Sequence, residues 1–387
     1  MKITIDHDES IPLYMQLLNQ LRHLILSGEW TPGSRLPSEA ELQRQLKISR
    51  GTIRQALNHA EVQGLIERVP GKGTFVARSP AAHSSTDTQG SHLIGYITCD
   101  SFRYLQGQLV GGAESIVSAK GYRVVFCNSN RDIDEENRLL EQLVQKDRVE
   151  GILTWPVLHD DPSRHLFQLA RQGTVPVVLV DRTFDGLTCD YVTSDNYAGA
   201  RAAIEHLVEL GHRRIAFLSR PILQLLTVGE RLRGYQDALR DAGLAPLEPW
   251  LVGAAGQEME IVFALHSYSD VASQEIEQIV RYLQAPQPPT AIFAMNDMMA
   301  MQAMKATKLA GLRVPEDLSL VGFDDEGIVN TLLDVSLTTV AQDGFTMGRR
   351  AAELLIERIE GYDGPLRQEV LPTQLRVRAS TAPPTTS

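Results

Sequence analysis

From residue 92 onward, short apolar runs alternate with amphipathic helical patterns. LIGYIT, YRVVFC, EGILTW, PVVLVD, RRIAFLS, TAIFAMND and LSLVGFDD each precede or follow a helix. A strand followed by a helix reaches its neighbour by a crossover, so the alternation predicts an α/β class with parallel sheets and helices on both faces. Open sheets of this kind bind ligands at the carboxyl edges of their strands. Many of these strands end in small or polar groups, among them Asp100, Asn128, Asp181, Ser219, Asn296 and Asp324. The length suits two such lobes with a cleft between them.

The first 78 residues carry a different pattern. Leu13, Leu17, Leu21, Leu24 and Ile25 recur at helical spacing, and the pattern stops at Ser27-Gly28. After the turn TPGSRLP comes Ser38-x-x-Glu41, a capping box opening a helix that buries Leu42 and Leu46. Ser49 caps the next helix, which buries Ile53, Ala56, Leu57 and Ala60 and leaves Arg50, Arg54 and Asn58 on another face. Then the period shortens. Leu65 to Val69 and Thr74 to Val76 are β-prone runs joined by Pro70-Gly71-Lys72-Gly73, a hairpin. Helix, short helix, helix and wing make a winged helix-turn-helix.

Charge follows the same division. The chain of 387 residues has 37 Lys and Arg against 48 Asp and Glu, a net charge of −11, which argues against nonspecific nucleic-acid binding by the whole molecule. Between Gly33 and Arg78, however, eight basic side chains face four acidic ones. Ser79 to Ser91, SPAAHSSTDTQGS, reads as a solvated linker, and Thr381 to Ser387 as a frayed tail. No apolar run approaches the roughly 18 residues of a membrane span, and MKITIDHDES is polar and acidic where a secretory signal is basic then apolar, so a cytoplasmic protein is expected. Cys99, Cys127 and Cys189 are odd in number and lack a CxxC spacing, so they are expected to be buried or inert thiols.

A helix fits the major groove with its first turn toward the bases, which makes Arg50 and Arg54 the main candidates for reading guanine O6 and N7. The hydroxyls of Ser49 and Thr52 suit phosphates, and Gly51 allows close backbone approach. Lys72, with Gly71 and Gly73 beside it, stands at the wing tip. Arg35 and Ser38, before the second helix, complete the candidate DNA-binding set with Gly73. Enzyme motifs are weak. There is no GxSxG, no HExxH and no GxGxxG after a strand, and Gly71-Lys72 lacks the upstream glycine of a P-loop. His206 and His212, six apart, make no metal pair, and His212 reads as a turn residue or helix-end cation. No catalytic residue, metal or cofactor is assigned.

Through LPSE, SRGTIRQAL, GLIER and GKGTFV the first unit closely resembles the GntR family of regulators. That family usually has Arg between the two glutamates of its LPSExE stretch; here the residue is Ala40, which removes one expected DNA contact. The large unit resembles the LacI/GalR effector domain, similar to periplasmic sugar-binding proteins, through KGYRVVFCNSN, VEGILTW, PVVLVDR, VTSDNYAGARAAIEHLVELGHRRIAFLS, ERLRGYQDAL, PTAIFAMNDMMA, GLRVPEDLSLVGFDD and LTTV. A GntR-type head on a LacI/GalR-type body looks like the arabinose repressors of Gram-positive bacteria. The resemblance implies a head over residues 1–78, a linker over 79–91, an effector domain over 92–380 and a tail over 381–387. Within the effector domain, lobe 1 is expected over about 92–194 and 343–370, and lobe 2 over about 195–340 and 372–380.

The same resemblance puts the effector site at Asp181, Arg231, Asn296 and Asp324. Arg231 offers a fork of donors, the two aspartates accept from hydroxyls, and Asn296 does both, which suits a polyol. Two carboxylates against one guanidinium oppose a phosphate, so a neutral sugar is expected. Phe102, Tyr104 and Trp155 are candidates to cover the apolar face of a sugar ring, with core packing the alternative. The implied function is a sugar-responsive regulator, a repressor of carbohydrate-utilisation genes released from double-stranded operator DNA by a sugar such as arabinose, and acting as a homodimer on a roughly palindromic site. An activator or corepressor-type regulator of the same architecture, and a sugar receptor that does not bind DNA, are the alternatives.

Overall fold

In the head, α1 (Leu13–Leu26), α2 (Glu39–Leu46) and α3 (Arg50–Val62) precede a hairpin of β1 (Ile66–Val69) and β2 (Gly73–Val76). The computed structural model describes residues 13–26, 29–46, 48–62, 66–69, 73–76, 91–99, 104–157, 164–173, 175–183, 189–223, 225–253, 268–327, 329 and 333–385. They divide into two units, Met1–Gln89 and Gly90–Ser387. The helical stripes read from the sequence meet in one core, where Leu17, Leu21, Leu42, Ile53, Leu57 and Ala60 are buried together with Ile66 and Val76 of the hairpin. The capping box forms: Ser38 N–H donates to Glu41 Oε2 at 2.7 Å and Glu41 N–H to Ser38 Oγ at 3.3 Å. A cap of this kind stabilises its helix by about 1 kcal/mol.

The body starts with β3 (Leu93–Thr98), α4 (Tyr104–Ala119), β4 (Arg123–Asn128), α5 (Ile133–Gln145), β5 (Gly151–Trp155), α6 (Arg164–Gln172), β6 (Val177–Val180) and β7 (Asp190–Ser194). It continues with α7 (Asn196–Glu209), β8 (Ile215–Ser219), α8 (Leu226–Asp241), β9 (Trp250–Leu251), α9 (Tyr268–Leu283), β10 (Ala291–Ala294), α10 (Asp297–Leu309), β11 (Ser319–Asp324) and β12 (Thr338–Ala341). Then come α11 (Gly344–Ile359), β13 (Gln368–Leu371) and β14 (Gln374–Arg376). The strands form two six-stranded sheets, β4-β3-β5-β6-β7-β13 in lobe 1 and β9-β8-β10-β11-β12-β14 in lobe 2. All neighbours are parallel except β14, which runs antiparallel to β12. In each lobe the chain enters mid-sheet, adds one strand to one side and then builds the other side. The order reverses beside β3 and β8, which opens a crevice at the carboxyl ends of the strands. The chain passes between lobes after β7, after β12 and after β13.

Where α4 meets α11 the two backbones touch. A Cβ on Gly348 would stand 2.0 Å from the carbonyl oxygen of Leu109, and one on Gly112 2.0 Å from that of Phe345. Interiors packed this closely yield only by moving whole helices. Gly348→Ala is expected to destabilise the body by about 3 kcal/mol, measured as a lower urea midpoint at unchanged slope.

Two expectations are corrected by the structure. Of the segment expected to fray, residues 381–385 are docked on lobe 2 and the last two lie outside the described residues: Ala382 N–H donates to Ser319 Oγ at 3.0 Å and the Thr385 hydroxyl to the Glu316 carbonyl at 3.2 Å. His212 is no helix-end cation. It is buried, its Nε2 donates to the Ala382 carbonyl at 2.9 Å, and burial lowers its pKa, so the imidazole is neutral and pins this same segment. Cys99 and Cys189 are buried, and burial pushes the Cys189 thiol up to about 12.

Candidate effector cleft and DNA-reading face

Between the lobes lies a cleft of about 410 Å³, part of it open to solvent. Asp181, Trp155 and Arg182 line it from lobe 1, Arg231, Asn296 and Asp324 from lobe 2, and Gln342 from the crossing between β12 and α11. The aspartates stand where their strands stop, Asp181 after β6 with φ 66° and Asp324 closing β11 with φ 110°. Left-handed backbone at a non-glycine residue is strained and persists where the surroundings over-determine it.

Arg231 is the centre of the lobe 2 wall. Its Nε donates to Asn196 Oδ1 at 2.8 Å, its Nη1 to the Met295 carbonyl at 2.5 Å, and its Nη2 lies 3.6 Å from Asp324 Oδ1. Its guanidinium carbon sits 3.6 Å from the centre of the Phe323 ring, so the fork is fixed on both face and edge. Asp324 in turn accepts from Gln342 Nε2 at 2.7 Å. Asn296 is less versatile than expected: its Oδ1 caps α10 by accepting from Met299 N–H at 2.9 Å, leaving the amide N–H groups for the cleft.

In lobe 1, Trp155 is buried against the guanidinium of Arg182, 4.8 Å from its ring centre. Arg182 also donates to the Pro156 carbonyl and to Cys99 Sγ, both at 3.2 Å. The expected balance of two carboxylates against one guanidinium is therefore corrected to two against two. Successive residues of a strand face opposite sides, so Arg182, next to Asp181, gave no cleft signal. The positive φ at Asp181 ends that alternation. Gln342 was also missed: it stands just past the end of β12, whose short run LTTVA was not read as one of the strands. Tyr104 is not among the lining residues: it is 45% exposed, and its hydroxyl stands 3.9 Å from where a Cβ on Gly327 of lobe 2 would be. Phe102 lies outside the described residues.

Beneath Trp155, the buried Glu136 of α5 accepts from Val157 N–H at 2.7 Å, and burial pushes its pKa from an ordinary 4.5 up to about 7. A carboxyl whose folded pKa is raised stabilises below its unfolded value, and the contribution is lost as pH rises through the folded one. Glu136→Gln keeps the Val157 bond and carries no charge. Its melting temperature is expected to match the parent at pH 5 and exceed it at pH 8, by up to about 3 kcal/mol of stability, read by calorimetry at both pH values.

On the head, Arg50 and Arg54 are well exposed and both donate to Glu39 Oε2, at 3.1 and 3.3 Å. The hydrogen bonds from Arg54 and Arg50 hold the Glu39 carboxyl below its usual range. Surface pairs of this sort are weak and exchange readily for phosphate or base. Ser49 Oγ accepts from Thr52 N–H at 3.1 Å and shares a hydrogen bond with the Thr52 hydroxyl at 2.8 Å, so both hydroxyls serve the helix cap, as Ser38 does in the capping box. A Cβ on Gly51 would meet only Ser49 Oγ, at 3.6 Å, which leaves this first turn of α3 bare. Arg35 bridges to Phe75, and its Nε lies 3.1 Å from where a Cβ on Gly73 would stand; Gly73, with φ 121°, admits the guanidinium against the wing. Ala40 is exposed on α2, and Lys72 lies outside the described residues.

Residues 13–76 match the model of the gntR family of bacterial regulatory proteins, and residues 204–381 that of a periplasmic binding protein-like domain. The chain is 31% identical over 358 residues to an arabinose metabolism transcriptional repressor of Geobacillus stearothermophilus, across 91% of this chain and 93% of that one. It belongs to the family of that repressor. The ribose operon repressor of Escherichia coli (strain K12) is 30% identical over 329 residues, covering 82% of this chain and 92% of that protein. Among solved structures, a complex of the regulator CelR with cellobiose is 27% identical with a TM-score of 0.63, covering 88% of this chain and 93% of that one. The chain is thus a DNA-binding transcriptional repressor and not an enzyme. No described helix is long and apolar enough to cross a membrane.

Proposed function

We propose that this chain represses carbohydrate-utilisation genes by binding a roughly palindromic operator as a homodimer, and that a neutral sugar, arabinose or a similar pentose, releases it. The observation that carries the ligand class is the state of the two cleft guanidiniums. Arg231 is committed to Met295, Asn196 and Asp324, and Arg182 to Pro156, Cys99 and the face of Trp155. Each guanidinium is thus already balanced or held by groups of the protein, Arg231 by the Asp324 carboxylate among them, and the lining also presents the Asp181 and Asp324 carboxylates and the Asn296 and Gln342 amides, groups suited to hydroxyls. The relatives named for arabinose and ribose, and the cellobiose complex, agree with this reading. Arg50 and Arg54 read the half-site from the first turns of α3, Lys72 and Gly73 approach from the wing, and Arg35, Ser38, Ser49, Gly51 and Thr52 set the head against the backbone of the duplex.

A sugar held by both walls favours the closed arrangement of the lobes, and it shifts operator affinity only as far as it prefers one arrangement to the other. A thermal-shift screen of pentoses, hexoses and their phosphates tests the ligand class, because a molecule that binds only the folded chain raises its melting temperature. A neutral pentose is expected to raise it and to loosen the operator complex in a gel shift. Stabilisation by phosphates alone overturns the reading.

A further inference from the structure

At the carboxyl edge of the lobe 1 sheet, under the first turn of α4, a group of polar side chains is buried around an apolar frame. Tyr96 is fully buried on β3, Gln106 is 2% exposed on α4 and Trp155 is 1% exposed at the end of β5. Tyr96 Oη, both amide atoms of Gln106 and Trp155 Nε1 have no partner in hydrogen-bond geometry among the described residues. The Gln106 amide is near enough to act electrostatically on the Tyr96 hydroxyl as a weak hydrogen-bond partner, short of hydrogen-bond geometry, and the charge of Asp181 is felt there too. Trp155 and Asp181 line the effector cleft, so this polar group adjoins its lobe 1 wall.

Buried polar atoms are paired almost everywhere in folded proteins, and an orphan asks for a reason. Packing supplies none. Leu105 and Leu109 on the same helix and Ile94 and Leu153 on the same sheet belong to the hydrophobic cluster that surrounds these side chains, where an apolar residue would sit at no such cost. We propose that Gln106, Tyr96 and Trp155 form a specificity pocket that takes one hydroxyl-bearing end of the effector when the cleft is filled. The chemistry of the trio defines what enters. Trp155 Nε1–H only donates, so the ligand atom facing it must accept; Gln106 and Tyr96 both donate and accept. A hydroxyl, or two neighbouring hydroxyls, satisfies all of them. A carbonyl answers only donors, and a methyl leaves every one unpaired. A site built this way rejects an analogue lacking the hydroxyl far more strongly than an apolar pocket rejects an extra one.

The inference rests on the sugar reading of the cleft, and its test separates the two. Titration calorimetry is run with L-arabinose, D-ribose and D-xylose, then with the monodeoxy versions of whichever binds tightest, on the full chain and on Gln106→Leu and Tyr96→Phe. The parent is expected to lose at least tenfold in affinity for one deoxy analogue. Each variant is expected to bind the intact sugar at least tenfold more weakly than the parent, and to bind that deoxy analogue about as well as the intact sugar. Without ligand, Gln106→Leu is expected to melt no lower than the parent, whereas a purely structural glutamine would leave a less stable protein. Tyr96→Phe removes a single oxygen and keeps the test valid should Gln106→Leu fold poorly. A parent that binds none of the sugars overturns the sugar reading and the pocket with it. A parent that binds, with variants of unchanged affinity and unchanged deoxy preference, overturns the pocket alone.

Discussion

Arg231→Ala is expected to abolish the response to sugar and to leave the grip on DNA intact. The guanidinium fixes the lobe 2 wall through Asn196, the Met295 carbonyl and Asp324, and lies flat on Phe323. Hydrogen bonds to charged groups are worth about 1.5 to 3 kcal/mol each, so releasing the Asp324 carboxylate and its neighbours from the positions that Arg231 fixes is expected to cost the sugar about a hundredfold in affinity or more. The buried Asp324 carboxylate then loses the guanidinium beside it, while Gln342 still donates to it. Removing one partner of a buried pair commonly costs about 3 to 5 kcal/mol, so the variant also melts lower. Calorimetric titration with the sugar and an operator gel shift, done on the same preparation, separate the two activities. Normal induction by Arg231→Ala would mean that the effector lies elsewhere.

Arg50→Ala and Arg54→Ala have the opposite profile. Each is expected to lose about 1 to 3 kcal/mol of operator affinity, roughly five- to 150-fold, with sugar affinity unchanged. Glu39 sharpens the expectation. Both arginines donate to its one Oε2, so each must leave the carboxylate to reach a base. With either removed, the survivor keeps Glu39 to itself. The double variant is therefore expected to cost less than the sum of the singles, the sign of two groups sharing a third. Fluorescence anisotropy with the operator and with a half-site-scrambled duplex measures both affinity and discrimination. An arginine whose loss changes neither takes no part in reading.

What the sequence disclosed and what it withheld divide by range. The capping box at Ser38 and the cap at Ser49 span four residues each, and both form as their spacing requires. The crossovers were legible because apolar strands and amphipathic helices have different periods. Glu39 reaching Arg50 and Arg54, eleven and fifteen positions away, depends on how α2 packs against α3, which no local pattern encodes. Gln342 stands just past the end of β12, a four-residue strand too short to stand out in the sequence. The docked end is the plainest case: STAPPT, residues 380–385, has no apolar period, and its hydrogen bonds go to Ser319, Leu320 and His212, sixty or more residues earlier. Arg182 illustrates a subtler limit, since a single backbone angle at Asp181 decided which way it turned.

The chain passes between the lobes at three places, after β7, β12 and β13. A single tether would let one lobe swing in any direction. Three struts side by side must bend together, which leaves little beyond one hinge axis. Whatever fills the cleft therefore drives a motion whose direction is built into the waist of the molecule, and different occupants can vary how far it runs more easily than where it leads.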